Sequence, residues 1–205
     1  MTMQAIYELR IYRVQPGRIN DMIARRQGPL KILFDRHGIC PLGDWHTLGA
    51  GGEHLFVYLM RWQDWDTRQQ AWAGFYNDPF WWSERERTNA GSELVERYRL
   101  SFLKEITPWG MGGIESYHAL ELVMPRIHIG HSVLVAKDLQ AYTKSRTKDD
   151  PCLHGSFEFL TGPDLPSSAL FVGHFADPVA SGQVIQRAVP SLSGFEKYVL
   201  HPIST

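Results

Sequence analysis

The feature that most constrains the fold of this chain is an internal repeat of about a hundred residues. The segment Cys40–Leu48, CPLGDWHTL, returns 112 positions later at Cys152–Leu160 as CLHGSFEFL. Shorter matches pair Leu55-Phe-Val57 with Leu170-Phe-Val172, and Leu9-Arg-Ile11 with Leu120-Glu-Leu122. A two-copy repeat of this length indicates a duplicated domain, with two similar sheets related by a pseudo-two-fold axis.

The composition is that of an ordinary globular chain and excludes several functional classes. Of 205 residues 43% are hydrophobic and 21% charged, and the net charge of −1 gives no basic surface for nucleic acid. No apolar run approaches the roughly 20 residues of a membrane span. The N-terminus lacks the pattern of a signal peptide, so we expect a cytoplasmic protein with two buried, unpaired cysteines, Cys40 and Cys152.

Apolar periodicity predicts the same element order, β-α-β-β-α-β, in both copies. In the first copy, strands are predicted at 5–14, 39–48, 54–62 and 94–106, with a helix after Pro16 that kinks at Gly28-Pro29 and a second helix capped by Asp64 or Asp66. In the second copy, strands are predicted at 117–124, 152–161, 168–176 and 194–201, with weaker helices at 137–148 and 179–189. This order is typical of a ferredoxin-like α+β unit.

The predicted organisation is therefore two tandem ferredoxin-like repeats. Residues 1–108 form the first repeat, 109–116 a glycine-rich linker, and 117–205 a degenerate second repeat.

Several motifs of the first copy resemble the NIPSNAP family over about residues 5–108. They are Tyr7–Tyr12 followed by Pro16-Gly17, His37–Ile39 leading to Gly43–Trp45, Val57–Trp62, and Asp78-Pro79. The resemblance implies a dimeric α/β-barrel architecture, in which two ferredoxin-like sheets form a barrel with helices outside. That superfamily includes cofactor-free monooxygenases, isomerases, lyases, haem proteins and binders, so the fold does not settle the function.

The first strand carries the first set of candidate catalytic residues. Leu9 and Ile11 are predicted to face the helices, which turns Glu8, Arg10 and Tyr12 toward the barrel cavity. Such a cluster could bind an anion or move a proton. The alternative is a structural ion-pair ladder, for example a salt bridge between Arg10 and Glu121, its counterpart in the repeat.

The second strand of each copy supplies a candidate acid–base pair. His46 is matched by Glu158, and imidazole and a buried carboxyl group both suit proton transfer near neutral pH. A structural or exposed histidine is the alternative. His174 is a similar but weaker candidate.

Three side chains on one face of the third strand, Tyr58, Met60 and Trp62, would give the cavity an aromatic wall. With Glu121 and His174 they form the predicted substrate-binding set, and the alternative is that they fill the core. The segment Phe80–Trp82 is assigned to packing or to a subunit contact rather than to a lid.

No metal or cofactor is expected. His128 and His131 would face opposite ways on a strand, and no further ligand completes a metal site beside them. Haem held by one histidine stays open as an alternative, because related barrels use it.

Together these features predict a cofactor-independent enzyme that acts on a small hydrophobic or aromatic molecule. Proton-transfer chemistry would serve an isomerase, cyclase or lyase, and a substrate carbanion reacting with oxygen would serve a monooxygenase. The alternative is a non-catalytic module that binds a small molecule or another protein. We expect a homo-oligomer that binds neither nucleic acid nor membrane.

Overall fold

The computed structural model describes residues 5–110, 117–147, 150–162, 166–174 and 181–203. It is a mixed α/β protein that divides into two compact units. Unit 1 comprises Met1–Leu100 with His201–Thr205, and unit 2 comprises Ser101–Leu200. The division falls inside a strand, whereas the sequence prediction placed it after residue 108; most of the predicted linker lies outside the described residues.

The predicted helices and strands lie close to their predicted positions, and the helix Pro79–Asn89 is one that the sequence prediction lacked. The first half contains β1 Ile6–Val14, α1 Ile19–Arg25, a π-helical turn Arg26–Leu30, α2 Lys31–Arg36, β2 Pro41–Leu48, β3 His54–Trp62, α3 Trp65–Asn77, α4 Pro79–Asn89 and β4 Val95–Thr107. The second half contains β5 Ala119–Ile127, α5 Ser132–Ser145, β6 Cys152–Phe159, β7 Ser168–His174, α6 Ser181–Ala188 and β8 Leu192–Pro202. The largest displacement is that of α5, which begins five residues before the predicted 137.

Local chemistry explains where the helices of unit 1 begin and break. Pro29 has no N–H and Gly28 takes non-helical angles (φ −100°, ψ −108°), so the first helix breaks at the predicted kink. The carboxylate of Asp64 accepts a hydrogen bond from the Thr67 N–H and caps α3. Asp78 caps α4 in the same way, through the N–H of Phe80.

Each unit has its own strand order. In unit 1 the order is β4-β1-β3-β2-β8, and in unit 2 it is β8-β5-β7-β6-β4. The long strands β4 and β8 run through the boundary and contribute one part to each sheet. In unit 1, β1 and β2 each pair antiparallel with β3.

The prediction of which face of β1 meets the helices was wrong. Arg10 lies over the ring of Trp72 on α3, and Glu8 accepts hydrogen bonds from Arg68 on the same helix. By alternation along the strand, Leu9 and Ile11 are on the opposite face. The sequence misled because both faces of β1 are buried, so apolar residues do not mark the helix-facing side.

The strand pairing also corrects the alignment of the two copies. A bulge in β2 sets Pro41 opposite Met60 and Gly43 opposite Leu59. In unit 2, the matching bulge in β6 sets Leu153 opposite Val172 and Gly155 opposite Phe171. Every member of these pairs is displaced by 112 positions, which supports the match of Cys40–Leu48 to Cys152–Leu160.

The two shorter sequence matches are out of register. Glu8 lies opposite Met60, and Glu121 lies opposite Val172, so Glu121 is the counterpart of Glu8 rather than of Arg10. The bulge pairs displace β3 onto β7 by 112 positions, whereas the match of Leu55–Val57 to Leu170–Val172 requires 115, so these triplets do not correspond. Short apolar triplets recur easily in strands buried on both faces, and a shift of one residue exchanges the faces.

Unit 2 has an apolar core between its sheet and its helices. Val123, Leu153, Leu170 and Val172 from the strands are buried with Val135 and Leu139 of α5 and with Ile185 of α6. Both cysteines are free, but Cys40 is exposed, contrary to the expectation of two buried thiols. In the described part of the chain, none of the helices has the length and apolarity needed to cross a membrane.

Candidate functional site

The candidate site is a cavity of about 70 Å³ in unit 1, between the helix-facing side of the sheet and the helices. Its wall is aromatic with two embedded guanidinium groups. The residues that define it are Arg10 and Tyr12 of β1, Arg25 of α1, Tyr58 of β3, Trp72 of α3 and Trp81 of α4.

A buried polar network holds the first of these cations in place. The Nε atom of Arg10 donates to Glu8 Oε1 at 2.6 Å, and its Nη1 donates to the hydroxyl oxygen of Tyr12 at 3.0 Å. Glu8 also accepts from Trp62 Nε1 at 2.9 Å and from Arg68 Nε at 2.7 Å. The sequence analysis predicted this grouping of Glu8, Arg10 and Tyr12, and the structure adds Arg68.

The electrostatics keep this network ionised. Burial by itself would raise the pKa of Glu8, but the hydrogen bond from Arg68 and the charges of Arg10 and Arg68 outweigh it and hold the pKa below the ordinary value. The pKa of Arg10 is raised by Tyr12 and Glu8 against the opposing effect of burial. Burial raises the pKa of Tyr12, so its hydroxyl stays protonated. Glu8 therefore stays ionised and holds Arg10 in place, and its low pKa makes it poorly suited to act as a base.

Aromatic packing shapes the wall around Arg10. The guanidinium carbon lies 3.8 Å from the centre of the Trp72 ring, within the range of a cation–π interaction. Tyr58 packs on Phe56 and Tyr12, with ring centres 4.7 and 5.6 Å away, and burial raises its pKa well above the ordinary value. Tyr58 lines this cavity on the helix side of the sheet, whereas the sequence prediction placed it on the wall of a barrel cavity. Trp62 contributes through its hydrogen bond to Glu8.

Two consecutive arginines at the junction of α1 and the π-helical turn were missed in the sequence. Arg25 ends α1 and lines the cavity, Arg26 begins the turn, and their side chains bind different elements. Arg26 forms a buried ion pair with Asp44 of β2 at 2.6 Å. Arg25 donates to the Thr88 hydroxyl at 2.7 Å and to Asn89 Oδ1 at 2.6 Å on α4. A pair of arginines just before a Gly-Pro kink is the signal that could have indicated them.

The predicted acid–base pair is divided between the units. His46 of unit 1 stacks on His201, with ring centres 5.2 Å apart, and it does not line the cavity. Burial, then the charges of His201 and His54, lower its pKa. Glu158 of unit 2 lies opposite Ser168 and Lys104 in the sheet. The joint action of His46 and Glu158 remains a prediction.

The other predicted binding residues form a separate pair in unit 2. Glu121 Oε2 lies 3.0 Å from His174 Nε2, and both side chains are buried. This pair corresponds to the Glu8–Trp62 hydrogen bond of unit 1. Glu8 lies opposite Met60 and Glu121 lies opposite Val172, and Trp62 and His174 each follow that opposite residue by two positions. The alternative prediction of a salt bridge between Arg10 and Glu121 is wrong, because Arg10 is paired with Glu8.

Clusters suited to a metal are absent from the part of the chain that the structure describes: no three His, Cys, Asp or Glu residues come together there. His128 and His131 have ring centres 5.9 Å apart, and His131 lies at the start of α5 rather than on a strand.

The fold and the site define a mixed α/β protein with a partly open aromatic cavity. The NIPSNAP family model matches residues 7–107, which include all the residues named above for the unit 1 cavity. This part of the chain belongs to the NIPSNAP family. No curated protein matches the sequence.

Solved structures extend the likeness in fold to the whole chain. A "putative monooxygenase" from Fusobacterium nucleatum is 7% identical, with a TM-score of 0.61 over 100% of this chain and 94% of its own. One from Lactobacillus acidophilus is 6% identical, with a TM-score of 0.60 over 98% and 95%. An anthrone oxidase-like protein is 10% identical, with a TM-score of 0.54 over 97% and 92%. At these identities the likeness is one of fold alone.

Proposed function

We propose that the chain is a cofactor-independent enzyme that acts on a small hydrophobic or aromatic molecule in the unit 1 cavity. The observation that carries the proposal is a buried Arg10, fixed by Glu8 and presented among aromatic side chains. A fixed cation in an apolar cavity stabilises negative charge that develops on a substrate oxygen, and it does so without the cost of reorganising water.

The proposed roles follow from the protonation states. Arg10 stabilises an enolate or phenolate oxygen, and the neutral Tyr12 hydroxyl orients the substrate beside it. Glu8 acts as a positioning residue, because it is ionised and fully hydrogen-bonded. His46, neutral near pH 7 because its pKa is lowered, is kept as a candidate proton carrier with Glu158.

The reaction class we favour is oxygenation without a cofactor, with isomerase, cyclase or lyase chemistry as the other members of the same proposal. The similar folds of the proteins described as monooxygenases and as anthrone oxidase-like support this preference. In such a reaction a substrate CH₂ loses a proton, the carbanion adds O₂, the resulting peroxide anion takes up a proton, and the hydroperoxide loses water to leave a ketone. Molecular oxygen is the oxidant, and one of its atoms leaves as water.

The test is turnover by the purified chain without added cofactor. Anthrone-type and phenolic compounds are incubated with enzyme in buffer containing EDTA, and oxygen uptake and product mass are followed. We expect Arg10→Met to lower kcat/KM by about a hundredfold or more, the scale of losing one oxyanion-stabilising group. Arg13→Met is the matched control, because Arg13 lies on the same strand in a half-exposed pair with Glu96. Equal turnover by the Arg10 and Arg13 variants would refute the role of Arg10.

A non-catalytic binding module is the second candidate, and one observation favours it. Among the described residues that line the cavity there is no His, Cys, Asp or Glu to act as a base. A binder returns its ligand chemically unchanged, so mass spectrometry of the ligand after prolonged incubation separates the two functions.

Other features are proposed with this function. We propose that the two copies are tandem ferredoxin-like repeats, that the protein assembles as a homo-oligomer in the cytoplasm, and that it needs neither haem nor metal. The shared order of elements in the two halves supports the first of these.

A further inference from the structure

Arg25 is a buried cation whose hydrogen-bond partners are all neutral. Its side chain is almost fully enclosed, the residue being 4% exposed. Its donors reach Thr88 Oγ1, Asn89 Oδ1 and, at 3.4 Å, the carbonyl oxygen of Arg85. Within the described residues no carboxylate pairs with it. A buried charge is costly unless it is paired, so this arrangement requires an explanation.

The charges around the cavity do not balance. Glu8 is shared by Arg10 and Arg68, and Asp44 is paired with Arg26. The negative charge of Glu93 opposes the lowering of the Arg25 pKa by burial, but this carboxylate is half-exposed and already paired with Arg85. The described helix-facing layer of unit 1 therefore holds more buried cations than anions, with Arg25 as the uncompensated one.

Two further observations point to an occupant of the cavity. The Nε1 atom of Trp72 is a buried donor on a lining residue, and no partner for it lies among the described residues. Burial lowers the pKa of Arg25 to about 10, which leaves the guanidinium charged near neutral pH. An anion beside it would offset the desolvation and accept charge-assisted hydrogen bonds.

We propose that the cavity binds a small planar carboxylate of an aromatic or unsaturated acid, and that Arg25 selects the negative charge. This inference rests on the proposed function and adds the substrate class to it. The Nε and Nη2 atoms of Arg25 already donate to Thr88 and Asn89, so its Nη1 group is the one assigned to a carboxylate oxygen, and the aromatic wall matches a flat ring. Arg10 then meets the reacting oxygen, and Arg25 holds the carboxylate.

The size of the cavity sets the mode of entry. About 70 Å³ equals the share of roughly two water molecules, which suits a carboxylate head rather than a whole ring. In this proposal the ring enters beside Tyr76, a lining residue that is 47% exposed and packs on the rings of Trp72 and Phe75.

The experiment compares benzoate with benzamide, which has the same shape and no charge. Binding is measured by calorimetry, and the indole N–H signals of Trp72 and Trp81 in NMR spectra place the ligand in the cavity. We expect the wild type to prefer benzoate by about tenfold or more, the scale of one charge-assisted contact. Arg25→Gln should reduce this ratio to near one, and Arg13→Gln should leave it unchanged.

Equal binding of the two ligands by the wild type would overturn the proposal, as would an unchanged preference in Arg25→Gln. If Arg25→Gln does not fold, Arg25→Lys keeps the charge and should retain part of the preference; its complete loss of preference together with an intact fold would also contradict a charge-selecting role. The outcome is independent of turnover: equal binding removes the substrate class and leaves the enzyme proposal standing, whereas benzoate preference together with no conversion of the compounds in the oxygen-uptake test removes the enzyme proposal alone.

Discussion

At the residue scale, Glu8 connects β1, β3 and α3 of unit 1. The side chain is 0% exposed and accepts hydrogen bonds from Arg10, Trp62 and Arg68. Taking a carboxylate out of water is expensive, and the three donors are what make the ionised form tolerable there. The same contacts fix the guanidinium that the proposed function depends on.

Neutralising this carboxylate should be far more damaging than neutralising an exposed one. We expect Glu8→Gln to lower the free energy of unfolding by about 3 kcal/mol, because two arginines lose their common anion. Glu96→Gln, the control, breaks the half-exposed pair with Arg13 and should cost less than about 1 kcal/mol. Urea unfolding followed by circular dichroism measures both, and equal losses would contradict the proposed importance of the network.

The pH dependence of that difference gives a second check on Glu8. The folded-state pKa of Glu8 lies below its ordinary value, so the wild type gains its stabilisation above the unfolded pKa and loses it as the pH falls through the folded one. The wild type and Glu8→Gln should therefore approach each other in stability as the pH drops below about 4. A difference that stays constant down to pH 2 would mean that the charge of Glu8 is not the stabilising feature.

At the scale of single elements, small irregularities position the site. The π-helical turn after α1 allows Arg25 to bind α4 while Arg26 binds β2. The bulge in β2 requires Gly43, because a Cβ atom there would overlap the ring of Trp45. Gly155 has the equivalent position in β6, where a Cβ would lie 2.8 Å from the Trp109 ring.

The bulge glycine is testable against another glycine of the same unit. We expect Gly43→Ala to destabilise the protein by about 2 kcal/mol, since the Trp45 ring is buried and must move. At Gly49 the added methyl group meets only the flexible side chain of Glu53, so Gly49→Ala should change stability by less than about 0.5 kcal/mol. Thermal and urea unfolding of the two variants decide the matter; a Gly43→Ala protein as stable as Gly49→Ala would show that the ring has room to shift.

The junction of α3 and α4 should depend on pH through Asp78. Its carboxylate caps α4 and contacts Arg36 and His37, and the bonds from His37 and then Arg36 lower its pKa to about 2. The stabilisation is present above the unfolded pKa and disappears as the pH falls through about 2. Asp78→Ala should thus have a lower Tm than the wild type at pH 7, with the gap closing between about pH 4 and pH 2.

The control for this prediction is Asp35→Ala, which removes an exposed carboxylate that pairs with Lys31 one helical turn away. Its Tm should follow that of the wild type at every pH. If Asp78→Ala does the same, the cap and its ion pairs do not stabilise the junction.

At the scale of the whole molecule, the unit that carries the site is not a continuous stretch of chain. Unit 1 takes residues 201–205 from the far end of the sequence, and there Trp45 and His46 of β2 pair with Pro202 and His201. The family match at residues 7–107 includes β2 but not this partner strand. Without it, β2 is left with unpaired backbone groups along one edge.

A fragment of residues 1–108 should therefore not remain a folded monomer. We expect it to dimerise or aggregate through the edge of β2, whereas the full chain under the same conditions gives no such edge-mediated species. Size-exclusion chromatography with light scattering reports the mass, and circular dichroism reports the fold. A monomeric fragment with the unfolding midpoint of the full chain would contradict the role of the C-terminal strand.

The sequence by itself determined most of the elements and their order, with α4 as the exception. Alternating and helical periodicities, the Gly28-Pro29 kink and the Asp64 cap are consequences of backbone geometry within a few residues, so they could be predicted locally. The match of Cys40–Leu48 to Cys152–Leu160 was also correct, because it includes the glycine that each bulge requires. The grouping of Glu8, Arg10 and Tyr12 followed from the period of a strand.

Only the tertiary structure decided which face of β1 meets the helices, how the two copies align, and which cations surround the cavity. Leu9 and Arg10 are both buried, so hydrophobicity could not distinguish their faces. Arg25, Arg68 and Trp72 come from helices that meet β1 only after folding. Strand pairing and helix packing join residues far apart in the chain, and the local pattern of residues does not predict the energy of those contacts.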